Sequence, residues 1–448
     1  MSATDIQSLV SLPNEMNFSL PASLPSAKTF EIRVQPVNQQ TFTAGQVLQF
    51  DIPCGKVGQY LDPTTTYIRF KVVYTHSGTA GTNFSYLLGT GYSYFNKFEV
   101  YGNNSVTLES INEYGLLANT LLQTQLNGAD KYGLSSCMGF NNDNGYSVLG
   151  HKIFDATTTV NYLTFEYALP LIGILGSGTD KMFPTGNIYS LRVELTMDAF
   201  TNFTVAATAA GSVGSCIISE VEFVGQVIEL DAQPQSIIAS QNPDLIHIRS
   251  QSYRTSSNFI AGGTSGLTDL LIGTRVSSLK SMFITCSPSN ALEKKFASVC
   301  PNLGQGTSLI LAGLSIPQRG LNPINHPADC FTELQKALGA LAIVNYNGAV
   351  QKEEYYRSST TTGLMLAYNT TLANISSNSP QFIMGINTEI VSHRGGLLSG
   401  ININTAPSFL RCQIDTALSN YQHTLYFFAY HDVILEINVQ AKTIVAKF

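Results

Sequence analysis

Thr66-Tyr67-Ile68-Arg69-Phe70-Lys71-Val72-Val73-Tyr74-Thr75 sets Ile68, Phe70, Val72 and Tyr74 on one side of an extended chain and Arg69, Lys71, Val73 and Thr75 on the other. That period of two belongs to a strand with one face in a core, because successive side chains of a pleated strand point to opposite faces. The pattern recurs. Leu191, Val193, Leu195 and Met197 alternate with Arg192, Glu194, Thr196 and Asp198, and Leu435, Ile437 and Val439 alternate with Glu436, Asn438 and Gln440. Between such runs lie Gly102-Asn103-Asn104, Asn141-Asn142-Asp143-Asn144-Gly145 and Ala261-Gly262-Gly263, turn formers that supply positive φ at low cost. The chain therefore reads as all-β and antiparallel, with long decorated loops.

Two segments carry helical spacing instead. In the first, Leu108, Ile111, Tyr114, Ala118 and Leu122 share a face and Gly128 follows as a stop. The second opens with Pro327, suited to a first helical turn, and continues with Phe331, Leu334, Leu338 and Leu341. Both stripes read as core-facing, and neither is assigned any chemistry.

The composition narrows the class. Of 448 residues 44% are hydrophobic and 12% charged, which gives enough apolar surface to offset the ordering entropy and rules out a disordered chain. A single core stops growing near roughly 250–300 residues, so more than one domain is expected. The formal charge is -6 and no basic run occurs, which argues against sequence-independent phosphate binding. Apolar stretches such as residues 425–430 fall far short of the roughly 20 residues of a spanning helix. Residues 1–28 are rich in Ser and Pro and lack the basic start and apolar segment of a secretory signal, so they read as a mobile or partner-dependent arm of a protein that is not secreted. The cysteines, Cys54, Cys137, Cys216, Cys286, Cys300, Cys330 and Cys412, are odd in number and hold no CxxC pair; they read as buried thiols in a reducing compartment.

The chain also repeats itself. Ile32-Arg33 with Gln35 matches Ile248-Arg249 with Gln251, Leu191-Arg192 matches Leu410-Arg411, and the helix near Leu108 matches the one near Pro327. Val221-Glu222-Phe223-Val224-Gly225-Gln226 resembles Leu435-Glu436-Ile437-Asn438-Val439-Gln440. All four pairs keep the same order and lie roughly 214–219 residues apart. Two similar β domains follow, expected over residues 29–232 and 245–448 and joined by a linker at 233–244 that contains Pro234 and Pro243. Each exceeds the roughly 100 residues of an immunoglobulin-like sandwich, so an eight-stranded jelly roll with one short helix inserted fits each half.

With these residues the chain resembles the double jelly-roll major capsid proteins of double-stranded DNA viruses, of the polinton-like and virophage-like lineage. The resemblance rests on Gly45-Gln46-Val47-Leu48-Gln49-Phe50-Asp51-Ile52-Pro53-Cys54-Gly55, on Gly58-Gln59-Tyr60-Leu61-Asp62-Pro63 and on Phe98-Glu99-Val100-Tyr101-Gly102. It extends to Pro170-Leu171-Ile172-Gly173-Ile174-Leu175-Gly176, Phe183-Pro184, Leu309-Ile310-Leu311-Ala312-Gly313, Ile316-Pro317, Leu321-Asn322-Pro323 and a last strand at residues 433–439. It implies a homotrimer acting as a pseudo-hexagonal block of an icosahedral shell, contacts with neighbouring trimers, a separate penton protein and a place in the virion. The loop insertions are modest beside those of the larger members. Low charge with abundant Ser, Thr and Asn suits wide contacts made by neutral hydrogen bonds.

Enzymatic constellations are missing from the sequence: there is no GxSxG, GxxxxGK[ST], HExxH or GxGxxG. His76, His151, His247, His326, His393, His423 and His431 have no metal-ligand spacing, and His326 with Cys330 falls short of the four ligands of a closed zinc site. His431-Asp432 reads as a surface or interface pair, Glu353-Glu354 as a solvated loop or strand edge, and Lys294-Lys295 as ordinary surface. The Asn-x-Ser/Thr sequences at Asn17, Asn83, Asn103, Asn202, Asn369 and Asn374 are taken as chance. No catalytic, metal or cofactor-binding residue is assigned. The competing readings are a carbohydrate-binding or adhesin-like double β-sandwich, such as a viral spike or fibre, and a glycan-processing hydrolase. The first would favour exposed Trp, of which there is none, although 21 Tyr keep it open; the second needs a convergent pair of carboxylates.

Overall fold

Alternation at residues 66–75 becomes β4 (Gln59–Thr75), with Ile68, Phe70, Val72 and Tyr74 buried. This is a computed structural model; it describes residues 27–75, 85–87, 89–103, 105–125, 133, 137–139, 151–154, 162–176, 178–179, 181–206, 215–288, 306–311, 313–323, 326–339, 382–389, 399–414 and 422–448. The first half continues with β1 (Ala27–Val34), β2 (Thr41–Phe42), β3 (Val47–Ile52), β5 (Ser85–Leu87), β6 (Phe95–Gly102) and β7 (Val106–Asn112). Then come α1 (Tyr114–Gln125), β8 (His151–Phe154), β9 (Tyr162–Pro170), β10 (Leu191–Met197), β11 (Thr204–Ala206) and β12 (Ser215–Leu230). After α2 (Ala232–Gln241) the second half holds β13 (Leu245–Ile260), β14 (Gly266–Ile272), β15 (Leu279–Pro288), β16 (Thr307–Leu311) and β17 (Leu314–Leu321). It ends with α3 (Pro327–Ala337), β18 (Met384–Asn387), β19 (Ser408–Ile414), β20 (His423–Asn438) and β21 (Thr443–Lys447).

The first half folds as two facing antiparallel sheets, β1-β12-β4-β9 and β3-β10-β6-β7, and the second as β13-β20-β15-β18 and β14-β19-β16-β17. With the eight strands of each half's two facing sheets numbered by chain order, both barrels read 1-8-3-6 on one sheet and 2-7-4-5 on the other. This is the order of a jelly roll, used twice. α1 and α3 each follow the fifth of these strands in their barrel. Short β5, β8 and β11 form a separate sheet beside the first barrel, β2 extends the β1 edge of β12, and β21 pairs with the end of β20.

A repeated ion pair lies across the second and seventh strands. Arg192 Nε donates to Asp51 Oδ1 at 2.7 Å and Nη2 to Oδ2 at 3.3 Å, from cross-strand partners on β10 and β3. Arg411 makes the same fork on Asp269, with both bonds at 2.9 Å, between β19 and β14. Both pairs are exposed and contribute little stability in water. They extend the sequence match of Arg192 with Arg411 to Asp51 and Asp269, which the register sets opposite them.

Several expectations are corrected. The first helix begins at Tyr114; Leu108 and Ile111 are strand residues of β7. The β6–β7 register slips between Val100 and Tyr101, leaving Leu108 as a bulge, so residues three apart both face inward and imitate helical spacing. Glu113, at φ 55°, then turns the chain into α1. Leu338 caps α3, whereas Gly128 and Leu341 lie outside the described residues. Within residues 233–244 the chain is largely helical: extended Asp231 leads into α2, and Pro234 falls in the first turn, where no N–H is needed. The last strand is β21, not residues 433–439. The match of residues 221–226 to 435–440 finds the right strands in the wrong register: Ile32 pairs with Gly225, and its counterpart Ile248 pairs with Leu435.

Candidate functional site: the seam between the barrels

The two halves meet along one flank. The edge of the first barrel's β3-β10-β6-β7 sheet is β7, and against it lie β13 and β21 of the second barrel. Thr255 Oγ1 donates to Asn112 O at 2.7 Å. The 171–179 loop leaves β9 and also meets β13, where Gln251 N and Ser250 Oγ both donate to Gly178 O, at 2.7 and 3.0 Å. Thr179 Oγ1 donates to Arg249 O at 3.3 Å. Gly178 is required by this approach, since a Cβ there would sit 2.2 Å from Gln251 O.

The final strand closes the seam from the second barrel. Asn103 Nδ2 donates to Ile444 O at 2.8 Å, Ile444 N donates to Asn103 Oδ1 at 3.2 Å, and Tyr189 N donates to Lys442 O at 3.0 Å. Asn103 holds φ 52°, a left-handed conformation that asparagine tolerates. Of the Asn-x-Ser/Thr positions, Asn103 thus has a structural part here, and Asn202 Nδ2 donates to Asp198 Oδ1 at 2.7 Å. Asn17, Asn83, Asn369 and Asn374 lie outside the described residues.

Two buried acids stand near the seam. Glu109 of β7 takes hydrogen bonds from Ile174 N and, across the barrels, from Ser252 Oγ. Asp432 of β20 accepts from Ser278 Oγ at 2.8 Å, with Lys280 Nζ 3.6 Å and Arg249 Nη2 3.7 Å from its other oxygen. Lys280 also reaches Glu389 at 3.2 Å. His431-Asp432 is therefore no surface pair. Both residues are buried, and burial drives the His431 imidazole down to about 4, so it is neutral.

The other singled-out residues stay apart. His326 is exposed and precedes α3, while Cys330 is buried inside it, where burial pushes the thiol up to about 12. His247 is 3.3 Å from Glu436 on the surface, and His423 is buried on β20. Cys216, Cys286 and Cys412 are buried with Cys330, and Cys54 and Cys137 half-buried. His76, His393, Cys300, Glu353-Glu354 and Lys294-Lys295 lie outside the described residues. Among the described residues no three His, Cys, Asp or Glu side chains gather as a metal site, and no helix is long and apolar enough to cross a membrane.

Paired sheets of identical strand order, joined along one flank, define a double jelly roll. No family model matches the chain, and no curated protein matches it. Solved structures do. The PBCV-1 protein VP54, in a crystal structure fitted into a cryo-EM reconstruction of the virophage Sputnik, is 9% identical with a TM-score of 0.60 over 96% of this chain and 98% of that chain. The Faustovirus major capsid protein is 10% identical with a TM-score of 0.57 over 98% and 94%. The mavirus major capsid protein is 10% identical with a TM-score of 0.55 over 98% and 95%. At such identity the likeness is one of fold, and it takes in both barrels.

Proposed function

We propose that this chain is the major capsid protein of a double-stranded DNA virus, a structural subunit and not an enzyme. Three copies trimerise into a pseudo-hexagonal capsomer, and capsomers tile an icosahedral shell together with a separate penton protein. The observation that carries this reading is the repeated strand order: one chain supplies two equivalent barrels, so threefold association presents six. Likeness to capsid proteins over nearly the whole chain supports it. On this reading the units are residues 29–232 and 245–448, residues 1–28 are an arm, and the protein resides in the virion after assembly inside the host cell.

Size exclusion and negative-stain imaging of purified full-length protein test it. Hexagonal trimers or shells are the expected outcome; stable monomers that bind a glycan array would replace it with the adhesin reading. With a formal charge of -6, the isolated trimer should also bind DNA more weakly than about 1 μM at physiological salt, and tighter binding would show that it condenses the genome itself.

A further inference from the structure

Glu109 is the one seam group above that carries a carboxyl with no opposite charge beside it. It is 1% exposed, and Ile174 N lies 3.2 and 3.1 Å from its two oxygens while Ser252 Oγ approaches from the second barrel. Gly173, at φ +119°, lets the loop come so close that a Cβ there would lie 2.4 Å from Glu109 Oε2. Two neutral donors do not offset the loss of water around a carboxylate. Burial therefore raises Glu109 to about 8, against the downward pull of Ser252 and Ile174.

The charged groups on surrounding elements are engaged elsewhere. On β6, Lys97 pairs with Glu99 at 2.8 Å. On β13, Arg249 faces Asp432 of β20, and Arg254 lies 4.0 Å from the Phe448 ring centroid. His431 of β20 is neutral, and Lys447 of β21 pairs with Glu436. Lys442, in the turn before β21, makes no ion pair with Glu109, and among the described residues no charged group is paired with it. The Tyr114 phenol of α1, raised first by burial, is raised further by a Glu109 carboxylate.

We propose that Glu109 is a proton-operated latch on the barrel seam: as a neutral acid it fastens the 171–179 loop to the second barrel, and on losing its proton to solvent it loosens that attachment. In the neutral form the carboxyl O–H donates to Ser252 Oγ and the other oxygen accepts from Ile174 N, so no charge is buried. In the ionised form the same two donors face an uncompensated charge. The folded value of about 8 lies above the ordinary 4.5, so between these pH values the folded chain holds a proton the unfolded chain lacks. Seam stability is then full below about 4.5, falls as pH rises, and is lost once pH has passed through about 8. The latch belongs to a single chain and stands independently of the proposed assembly.

Hydrogen exchange of the full-length protein from pH 6 to 9, corrected for intrinsic base catalysis, tests it. The amides of Ile174 and Gln251 should lose about tenfold protection or more across this range while those of β4 keep theirs. Glu109→Gln should abolish the dependence. Ser252→Ala, which removes a donor to the carboxylate, should move its midpoint to higher pH. Flat protection in the wild type, an unchanged dependence in Glu109→Gln or an unmoved midpoint in Ser252→Ala would each overturn the latch; should Glu109→Gln not fold, the other two measurements decide.

Discussion

Asp432→Ala is expected to lower the unfolding free energy by about 3 kcal/mol, at the low end of the range for breaking a buried ion pair. The acid is 1% exposed and lies within 3.7 Å of two cations, Lys280 and Arg249. Removing it takes the counter-charge of Asp432 from both, and Ser278 loses its acceptor. The cost stays at the low end because Lys280 keeps Glu389 at 3.2 Å and Arg249 is partly exposed. Asp432→Asn retains an acceptor for Ser278, so it should cost less than the alanine variant. Urea titration of the three proteins measures both differences; equal midpoints for all three would mean that the cluster contributes nothing beyond packing.

Phe70→Ala should cost about 3–5 kcal/mol, the usual range for deleting a fully buried ring. Phe70 lies at the centre of β4 and of the first core, 5.3 Å from the rings of Phe95 and Tyr167 and 5.8 Å from Tyr94 by centroid. Edge-on contacts to Phe95 and Tyr94 and the stack on Tyr167 fix its orientation, so the surrounding rings cannot collapse into the space without leaving their own geometry. A loss below about 1 kcal/mol would indicate a core that repacks freely. Because Phe70 belongs to one barrel and Asp432 to the other, the pair also reports on coupling. If the seam makes the chain unfold as one unit, each substitution shifts a single common transition; if not, each shifts its own.

Strand identity was legible because it is written locally. Residues 66–75, 191–197 and 435–437 alternate so regularly that burial follows the letters. The duplication was legible from spacing, and the register of the two Arg–Asp forks places equivalent residues in both barrels. The misreadings have local causes. A bulge at Leu108 disguises a strand as a helix, and a shifted register makes residues 435–440 look equivalent to 221–226. The seam was not legible, since Glu109 and Ser252 are brought together only by three-dimensional packing. One trace existed: Glu109 lies between Leu108 and Ile111 in a strand whose inward residues are otherwise apolar. Sequence alternation cannot say whether such an acid faces solvent or a second barrel.

The hold of Asn103 on Ile444 joins unlike surfaces, so it is a head-to-tail contact with no self-complementarity. It closes within one molecule because α2 keeps both halves on a single tether, at an effective concentration of order millimolar for short links. Dilute chains therefore satisfy the hold internally. As newly made protein accumulates toward that concentration, exchange of the terminal strand between copies becomes competitive, which sets an upper limit on the crowding at which each copy still closes on itself.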